Sequence, residues 1–212
     1  MSRRFRPTGE GPLVLVLHGP NLGALGRRDP SHYGSLDLAG IMTRLQALAG
    51  TLGVAVEGLQ SDHEGELVAE LLAARGRGAA AALLNPGALA HTSYAVRDAV
   101  EAAGIPVVEV HLSNVHARER WRHRLVVAPA AAGVVAGFGP TSYDLGLRAA
   151  AALVSTGGAD SAPPDPPTPG GQPDPPGGQK APPRTPPTPG GSPIHRGGKQ
   201  RPPGPPPTPG GH

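Results

Sequence analysis

The 212-residue sequence contains no cysteine, and its two lysines, Lys180 and Lys199, lie near the C-terminus. The lack of cysteine excludes disulfides, thiolate metal sites and cysteine nucleophiles. The lack of lysine in residues 1–156 excludes Schiff-base chemistry in that part of the chain. Aromatic residues make up only 3% of the sequence. With no basic stripe of interleaved aromatics, a net charge of +3 does not indicate nucleic-acid binding.

Long apolar runs are also missing. No segment approaches the roughly 20 apolar residues of a membrane-spanning helix. The basic N-terminus is followed by an apolar run of five residues, 13–17, which is shorter than a secretory signal requires. We therefore expect no membrane partner and a cytoplasmic location. The histidines match no compact metal-ligand spacing, so no metal is expected.

The composition changes sharply after residue 156. Residues 157–212 contain 20 of the 28 prolines and 13 of the 32 glycines, which predicts a disordered tail. The hexapeptide PPTPGG occurs there three times, at 166–171, 186–191 and 206–211. A low-complexity extension is the favoured interpretation, and a polyproline ligand for an aromatic groove is the alternative. The remaining chain divides into an N-terminal extension, residues 1–11, and one domain, residues 12–156.

Apolar runs alternate with helical patterns through this domain. Strands are predicted at 13–17, 54–59, 79–85, 106–110 and 133–138, and helices at 38–52, 65–75, 92–103 and 141–154. Near-continuous apolar strands separated by helices indicate a parallel sheet covered on both faces. We therefore predict an α/β fold, a flavodoxin-like doubly wound sheet of five parallel strands in the order 2-1-3-4-5. Its ligand site is expected beyond the carboxyl ends of the strands.

Polar residues follow several of the predicted strands. The loop after the first strand holds Asn21, Arg28 and Tyr33. A fixed positive charge near a tyrosine favours the phenolate, which is a competent general base. The third strand ends in Asn85-Pro86-Gly87, and the fourth ends in the run 109–114, Glu-Val-His-Leu-Ser-Asn. These segments predict one site for proton transfer.

With these motifs in order, residues 11–154 resemble type II 3-dehydroquinate dehydratase, an enzyme family of the shikimate pathway. The resemblance rests on the Gly-Pro-Asn-Leu loop through Arg28 and Tyr33 and on the run 60–66, Gln-Ser-Asp-His-Glu-Gly-Glu. It continues through Asn-Pro-Gly-Ala at 85–88, His-Thr-Ser at 91–93 and the run 109–119. It implies an anti elimination of water from 3-dehydroquinate through an enolate, with no cofactor and no metal.

The same resemblance implies a role for each catalytic residue. Tyr33 would remove the proton from carbon 2 of the substrate, and Arg28 would lower the pKa of Tyr33. Asn21 would help to hold the water or donor that stabilises the enolate oxygen. His111 would protonate the hydroxyl that leaves carbon 1, and Glu109 would orient His111.

The substrate-binding residues follow by the same comparison of motifs. Asn85, His91 and Arg122 would contact substrate hydroxyls. Leu112 and Ser113 would hold the carboxylate through backbone N–H groups and the serine hydroxyl. In the cluster 118–124, only Arg122 is expected to point inward, the rest forming a solvated helix end.

The resemblance also implies an oligomer, because Asp98 would reach the site of a neighbouring subunit. A dodecamer built of trimers is expected. Two residues depart from the family pattern: His18 stands where many relatives have Asn, and Leu125 where they usually have Ser. We expect little effect of His18, a conservative hydrogen-bonding change.

Other functions fit the sequence less well. A signalling receiver would need paired acidic residues after the first strand and a lysine after the fifth, and a dinucleotide-binding protein would need a glycine fingerprint opening a helix. The remaining alternative is a catalytically silent flavodoxin-like interaction protein with a proline-rich partner-binding tail. The presence of Arg28, Tyr33 and His111 favours the enzyme.

Overall fold

A computed structural model of the protein describes residues 2–26 and 36–156. Within these ranges the strands are β1 (Arg3–Thr8), β2 (Leu13–His18), β3 (Ala55–Gln60), β4 (Ala79–Asn85), β5 (Val107–His111) and β6 (Gly133–Ala136). The α-helices are α1 (Leu38–Leu52), α2 (Glu64–Ala73), α3 (Tyr94–Ala102) and α4 (Thr141–Ser155). Short 3₁₀ helices occupy several of the connections, among them Gly87–His91, Val115–Ala117 and Arg120–His123.

The strands form one sheet in the order β1-β3-β2-β4-β5-β6. Strands β2 to β6 pair in parallel, and their order is the predicted 2-1-3-4-5. The prediction of five strands was wrong, because β1 pairs antiparallel with the edge of β3. Its sequence, Arg-Arg-Phe-Arg-Pro-Thr, contains no apolar run, and all of it except Phe5 is exposed. An edge strand of this kind is held by backbone hydrogen bonds, so the pattern of apolar residues in the sequence does not predict it.

Both faces of the sheet are covered by helices. Along β2, Val14 and Val16 pack into a core shared with α1 and α4, while Leu15 and Leu17 pack into the opposite core with α2 and α3. The alternation of side chains along a strand explains this division. Because β2 is buried on both faces, its apolar run is continuous. No helix within residues 2–26 and 36–156 is long and apolar enough to cross a membrane.

The N-terminal ends of α3 and α4 are held in different ways. Ser93 caps α3 by accepting a hydrogen bond from the backbone N–H of Val96 at 2.9 Å, as its sequence position suggests. Helix α4 instead begins after Pro140 without a side-chain cap. Ser142, in its first turn, is buried and accepts a hydrogen bond from the backbone N–H of Phe138. The adjacent Tyr143 is fully buried in the core.

Candidate active site

A cavity of about 120 Å³ opens at the carboxyl ends of β2, β4 and β5, where the fold predicted a ligand site. Seven of the predicted site residues line it: Asn21, Asn85, His91, His111, Leu112, Ser113 and Arg122. The other residues that line it are Pro20, Leu22, Leu25, Gly87, Ala88, Val115 and Arg118. The described part of the chain therefore brings together side chains from four separate sequence motifs.

The turn after β2 holds Asn21 in an unusual backbone conformation. Asn21 has a φ of 67°, in the left-handed region that asparagine tolerates better than most residues. Its backbone N–H donates to Asp62 Oδ1 at 2.7 Å, and the Gln60 side chain donates to the same oxygen at 3.0 Å. Asp62 thus ties this turn to the end of β3. Sequence reasoning gave Asp62 no role, although it lies in the motif at 60–66.

The same turn depends on Gly19 for close packing. A Cβ atom at Gly19 would lie 2.5 Å from the carbonyl oxygen of Pro86, which is too close for any side chain. The backbone N–H of Gly19 also donates to the carbonyl of Asn85 at 2.8 Å. The turns after β2 and β4 are therefore in direct contact beside the cavity.

Glu109 and His111 form a hydrogen-bonded pair at the cavity, with His111 on the cavity wall. They lie two residues apart on β5, so their side chains leave the strand on the same face. His111 Nε2 lies 2.6 Å from Glu109 Oε1, and Glu109 is completely buried behind it. This contact orients the imidazole and leaves Nδ1 as the ring nitrogen that the pair does not use. The geometry suits proton transfer by His111.

Glu109 keeps part of its hydrogen-bonding capacity unused. Within residues 2–26 and 36–156, its second oxygen, Oε2, has no hydrogen-bond partner although it is buried. A buried carboxylate is costly for stability unless it is paired and fully hydrogen-bonded.

His91 forms the neighbouring wall. Its Nδ1 lies 2.9 Å from the carbonyl oxygen of Arg124, so Nδ1 carries the proton and donates it. Burial lowers the pKa of His91, with the hydrogen bond to Arg124 opposing the shift. The ring stacks with that of His111 at a centroid distance of 6.4 Å and meets Trp121 edge-on at 5.1 Å. A neutral, oriented imidazole is suited to bind a hydroxyl group.

Two arginines line the cavity, where only Arg122 was expected. Arg118 also lines the cavity, and its guanidinium donates to Ser113 Oγ at 3.4 Å. Arg122 donates to Glu119 at 2.8 Å, and its guanidinium lies 4.0 Å from the centre of the Trp121 ring. The expectation that only Arg122 points inward was wrong, because Arg118 also lines the cavity, whereas the other residues of 119–124 are exposed as expected. The sequence signal for Arg118 was its place in the run 109–119, which carries the family resemblance.

Four predicted site residues are not among those that line the cavity. Glu109 lies buried behind His111 and does not line it. Asp98 lies on α3, is exposed and does not line the cavity. Arg28 and Tyr33 lie outside the described residues, in the segment 27–35. The roles assigned to them stay predictions.

Beneath the cavity, His18 is completely buried at the end of β2. Its Nδ1 lies 2.8 Å from the hydroxyl of Tyr143, and its Nε2 lies 3.4 Å from the sulfur of Met42. Burial lowers the pKa of His18 to about 3, so its ring is neutral at ordinary pH. Burial also raises the pKa of Tyr143, and a hydrogen bond from the Asn85 side chain opposes that shift.

The buried His18 predicts a specific loss of stability in acid. Below its ordinary pKa of 6.5, the unfolded chain binds a proton that the folded chain accepts only near pH 3. The free energy of unfolding should therefore fall by about 1.4 kcal/mol per pH unit between these values because of this group. In His18→Asn, the free energy of unfolding measured with urea should fall between pH 7 and pH 4 by roughly 3 kcal/mol less than in the wild type.

A matched control for that measurement is His63→Asn, at an exposed position after β3. Its pH dependence of unfolding should follow that of the wild type. An unchanged pH dependence in His18→Asn would show that burial of His18 does not control acid stability.

The fold and the cavity together define a class of protein. It is an α/β protein with a histidine–carboxylate pair and arginines at the carboxyl ends of a parallel sheet. The family described as Dehydroquinase class II matches residues 12–151. The chain belongs to this family. A 3-dehydroquinate dehydratase of Desulforudis audaxviator is 56% identical over 144 residues, covering 68% of this chain and 95% of the relative.

Two further comparisons agree with this membership. A 3-dehydroquinate dehydratase of Pelotomaculum thermopropionicum is 54% identical over 143 residues, covering 68% of this chain and 99% of the relative. The crystal structure of type II dehydroquinase from Propionibacterium acnes matches with a TM-score of 0.64 and 38% identity. That match covers 68% of this chain and 99% of the other.

Proposed function

We propose that this chain removes water from 3-dehydroquinate to give 3-dehydroshikimate, as a lyase of the shikimate pathway. The observation that carries the proposal is the Glu109–His111 pair facing a cavity that also contains two arginines. The pair supplies an oriented acid–base group, and the arginines supply positive charge for an anionic substrate. The family's relatives named 3-dehydroquinate dehydratase support the choice of substrate.

The first half of the proposed reaction is proton removal. Tyr33, as the phenolate, takes the proton from carbon 2, next to the carbonyl, and the electron pair of that C–H bond forms the enolate. Arg28 stabilises the phenolate and the developing negative charge. Asn21, held at the cavity edge by Asp62, helps to place the donor for the enolate oxygen.

The second half is loss of the hydroxyl group. The enolate collapses to re-form the carbonyl, a double bond forms between carbons 1 and 2, and the C–O bond at carbon 1 breaks. Hydroxide is a poor leaving group, so His111 donates a proton and the group leaves as water. Glu109 orients the ring and stabilises its positive charge before the proton is given up. The residues supply every proton, so the scheme needs no cofactor.

The remaining cavity residues bind the substrate in this proposal. Asn85, His91 and Arg122 contact its hydroxyl groups. Leu112 and Ser113 hold its carboxylate at the end of β5, where the backbone turns into the 3₁₀ helix Val115–Ala117. The position of these residues on the cavity wall supports the assignment.

We propose further that the chain assembles as trimers within a dodecamer. In this arrangement Asp98, exposed on α3, contacts the site of a neighbouring subunit. Sedimentation analysis of the full chain tests the assembly, and a monomer with full activity would contradict it. The cytoplasmic location stays a prediction from the sequence.

An ultraviolet assay tests the proposed activity. The product contains a conjugated enone that the substrate lacks, so its absorbance reports turnover directly. Purified full-length protein should produce this absorbance from 3-dehydroquinate without added metal or cofactor. No absorbance with folded protein would contradict the activity and favour the silent interaction protein.

Arg28→Ala should change the pH dependence of that reaction. If the guanidinium stabilises the Tyr33 phenolate, its removal raises the pKa of the base, and the rise of kcat/KM moves to higher pH. The measurement is a pH–rate profile, with Arg75→Ala as the control, because Arg75 does not line the cavity. An unchanged profile for Arg28→Ala would remove Arg28 from the electrostatic role.

A further inference from the structure

Arg122 is held by two neighbouring side chains that have no assigned role, Glu119 and Trp121. Its Nε–H donates to Glu119 Oε2 at 2.8 Å, and its Cζ lies 4.0 Å from the centre of the Trp121 ring. A backbone hydrogen bond of 2.8 Å, from the N–H of Arg122 to the carbonyl of Glu119, closes the turn that brings these side chains together. Arg122 lines the cavity, whereas Glu119 and Trp121 do not.

The two contacts together fix the plane of the Arg122 guanidinium. The group is planar, and its N–H donors form a rigid fork. Glu119 accepts from the donor on Nε, and the indole of Trp121 covers one face of the plane in a cation–π contact. Neither contact uses the N–H donors on the two terminal nitrogens. These donors are therefore left for a ligand in the cavity.

Trp121 also contacts His91, another cavity residue with a predicted binding role. The two rings meet edge-on, with centroids 5.1 Å apart and planes at 83°. His91 is in turn hydrogen-bonded to the carbonyl of Arg124, two residues beyond Arg122. The segment that carries Arg122 is thus attached to the wall that carries His91, and Trp121 touches both side chains.

We propose that Glu119 and Trp121 are positioning residues that hold the Arg122 guanidinium in the orientation that binds a substrate hydroxyl. This rests on the proposed contact between Arg122 and 3-dehydroquinate. Arginine has a long side chain with several rotatable bonds, and ordering it on binding has an entropic cost. Glu119 and Trp121 reduce that cost by ordering Arg122 before the substrate arrives. Their loss should weaken binding more than it slows the chemical steps.

The first test compares steady-state kinetics of Glu119→Ala and Glu119→Gln. The Glu119 side chain is 53% exposed, so both variants should fold. We expect Glu119→Ala to raise the KM for 3-dehydroquinate roughly threefold to fivefold, as suits an exposed ion pair, with kcat changed by less than about twofold. Glu119→Gln keeps an oxygen that can accept from Nε, so its KM should lie between those of the wild type and Glu119→Ala.

The matched control is Glu101→Ala. Glu101 is 48% exposed and forms an equivalent ion pair with Arg97 Nε at 3.1 Å on α3, and neither residue lines the cavity. Its KM should equal that of the wild type. A wild-type KM in Glu119→Ala would overturn the role of Glu119, and so would an equal rise in Glu101→Ala.

Substitutions of Trp121 test the second contact. Trp121→Phe keeps an aromatic face with a weaker attraction for a cation, and Trp121→Leu has no such face. KM should therefore increase in the order wild type, Trp121→Phe, Trp121→Leu. Phe138→Leu is the control, because Phe138 is also exposed, at 61%, and does not line the cavity. Equal KM values for wild type and Trp121→Leu would overturn the role of Trp121.

A double-substitution cycle identifies the arginine through which Glu119 acts, because Glu119 Oε2 also lies 3.4 Å from Arg118 Nε. If Glu119 acts through Arg122, Glu119→Ala should have no further effect on KM in a chain that carries Arg122→Ala. Its effect should persist in a chain that carries Arg118→Ala. The reverse pattern, or an effect that persists in both chains, would overturn the proposal.

Fluorescence measures binding apart from the chemical steps, since Trp121 is the only tryptophan of the chain. Titration of Tyr33→Phe with 3-dehydroquinate should change the emission, because the ligand binds the guanidinium that covers the indole. Adding Glu119→Ala should move the midpoint to a roughly threefold to fivefold higher concentration. Calorimetry supplies the same constant if the emission does not change. An unchanged midpoint would overturn the positioning role.

The outcomes also separate this proposal from the proposed function. A wild-type protein that converts 3-dehydroquinate, with unchanged KM in Glu119→Ala and Trp121→Leu, would contradict only the positioning role. A wild-type protein that binds 3-dehydroquinate without converting it would contradict the function, and the shift of the midpoint would still decide the positioning role. No binding by either method would overturn both.

Discussion

Tyr33→Phe is expected to lower kcat by roughly 10³-fold, within the range of a lost general base, while the substrate still binds. Phenylalanine keeps the ring but cannot form a phenolate, so the proton on carbon 2 has no acceptor. The enone assay measures kcat, and calorimetric titration with 3-dehydroquinate measures binding.

The control for this variant is Tyr94→Phe. Tyr94 is 52% exposed, and its hydroxyl accepts a hydrogen bond from the Arg124 side chain at 2.8 Å. Its loss should change kcat by less than about twofold, as is usual for an exposed side chain. Substantial turnover by Tyr33→Phe would show that another group is the base.

The second large effect is expected for His111→Asn, with a loss in kcat of roughly 10²- to 10⁴-fold. Asparagine can still donate a hydrogen bond to Glu109, so the variant avoids leaving the buried carboxylate without any partner. It cannot deliver a proton to the leaving hydroxyl. His116→Asn, at an exposed position in the next turn, is the matched control and should keep kcat.

If His111→Asn retained wild-type kcat, the acid in the second half of the reaction would be a different group. Circular dichroism and thermal unfolding should show that the variant and the control are both folded. A difference in kcat between the two variants then reflects the lost proton donor and not a loss of folded protein.

The sheet and the place of the site were predictable from sequence because burial determines both. Strand β2 is apolar on both faces, and strands of this kind separated by helices have few stable arrangements. The order 2-1-3-4-5 then places the ends of β2, β4 and β5 side by side. Asn85 and His111 end β4 and β5, and Asn21 follows β2, so their meeting was predicted without any knowledge of contacts.

The missed features depend on contacts that a local pattern does not contain. Strand β1 is polar and exposed, and it joins the sheet only through backbone pairing with β3. The contact between His18 and Tyr143 joins residues 125 positions apart. Asp62 acts on the backbone N–H of Asn21, a group that every residue except proline carries. Such contacts follow from the fold and could not be deduced before it.

His18 shows how the structure changed one of these expectations. From sequence, it was a conservative change from asparagine with little effect. In the fold, its depressed pKa and its contact with the Tyr143 hydroxyl give it a testable consequence for acid stability.

The most direct test of the two proposed steps is hydrogen exchange at carbon 2 of the substrate. It separates proton removal by Tyr33 from proton donation by His111. In deuterium oxide, His111→Asn should still form the enolate and return it, so recovered 3-dehydroquinate gains one deuterium above a protein-free control while little enone forms. Tyr33→Phe should give neither exchange nor enone. Mass spectrometry of the recovered substrate distinguishes these results. Exchange in Tyr33→Phe at the wild-type rate, or its absence in a folded His111→Asn, would contradict the assignment of Tyr33 as base and His111 as acid.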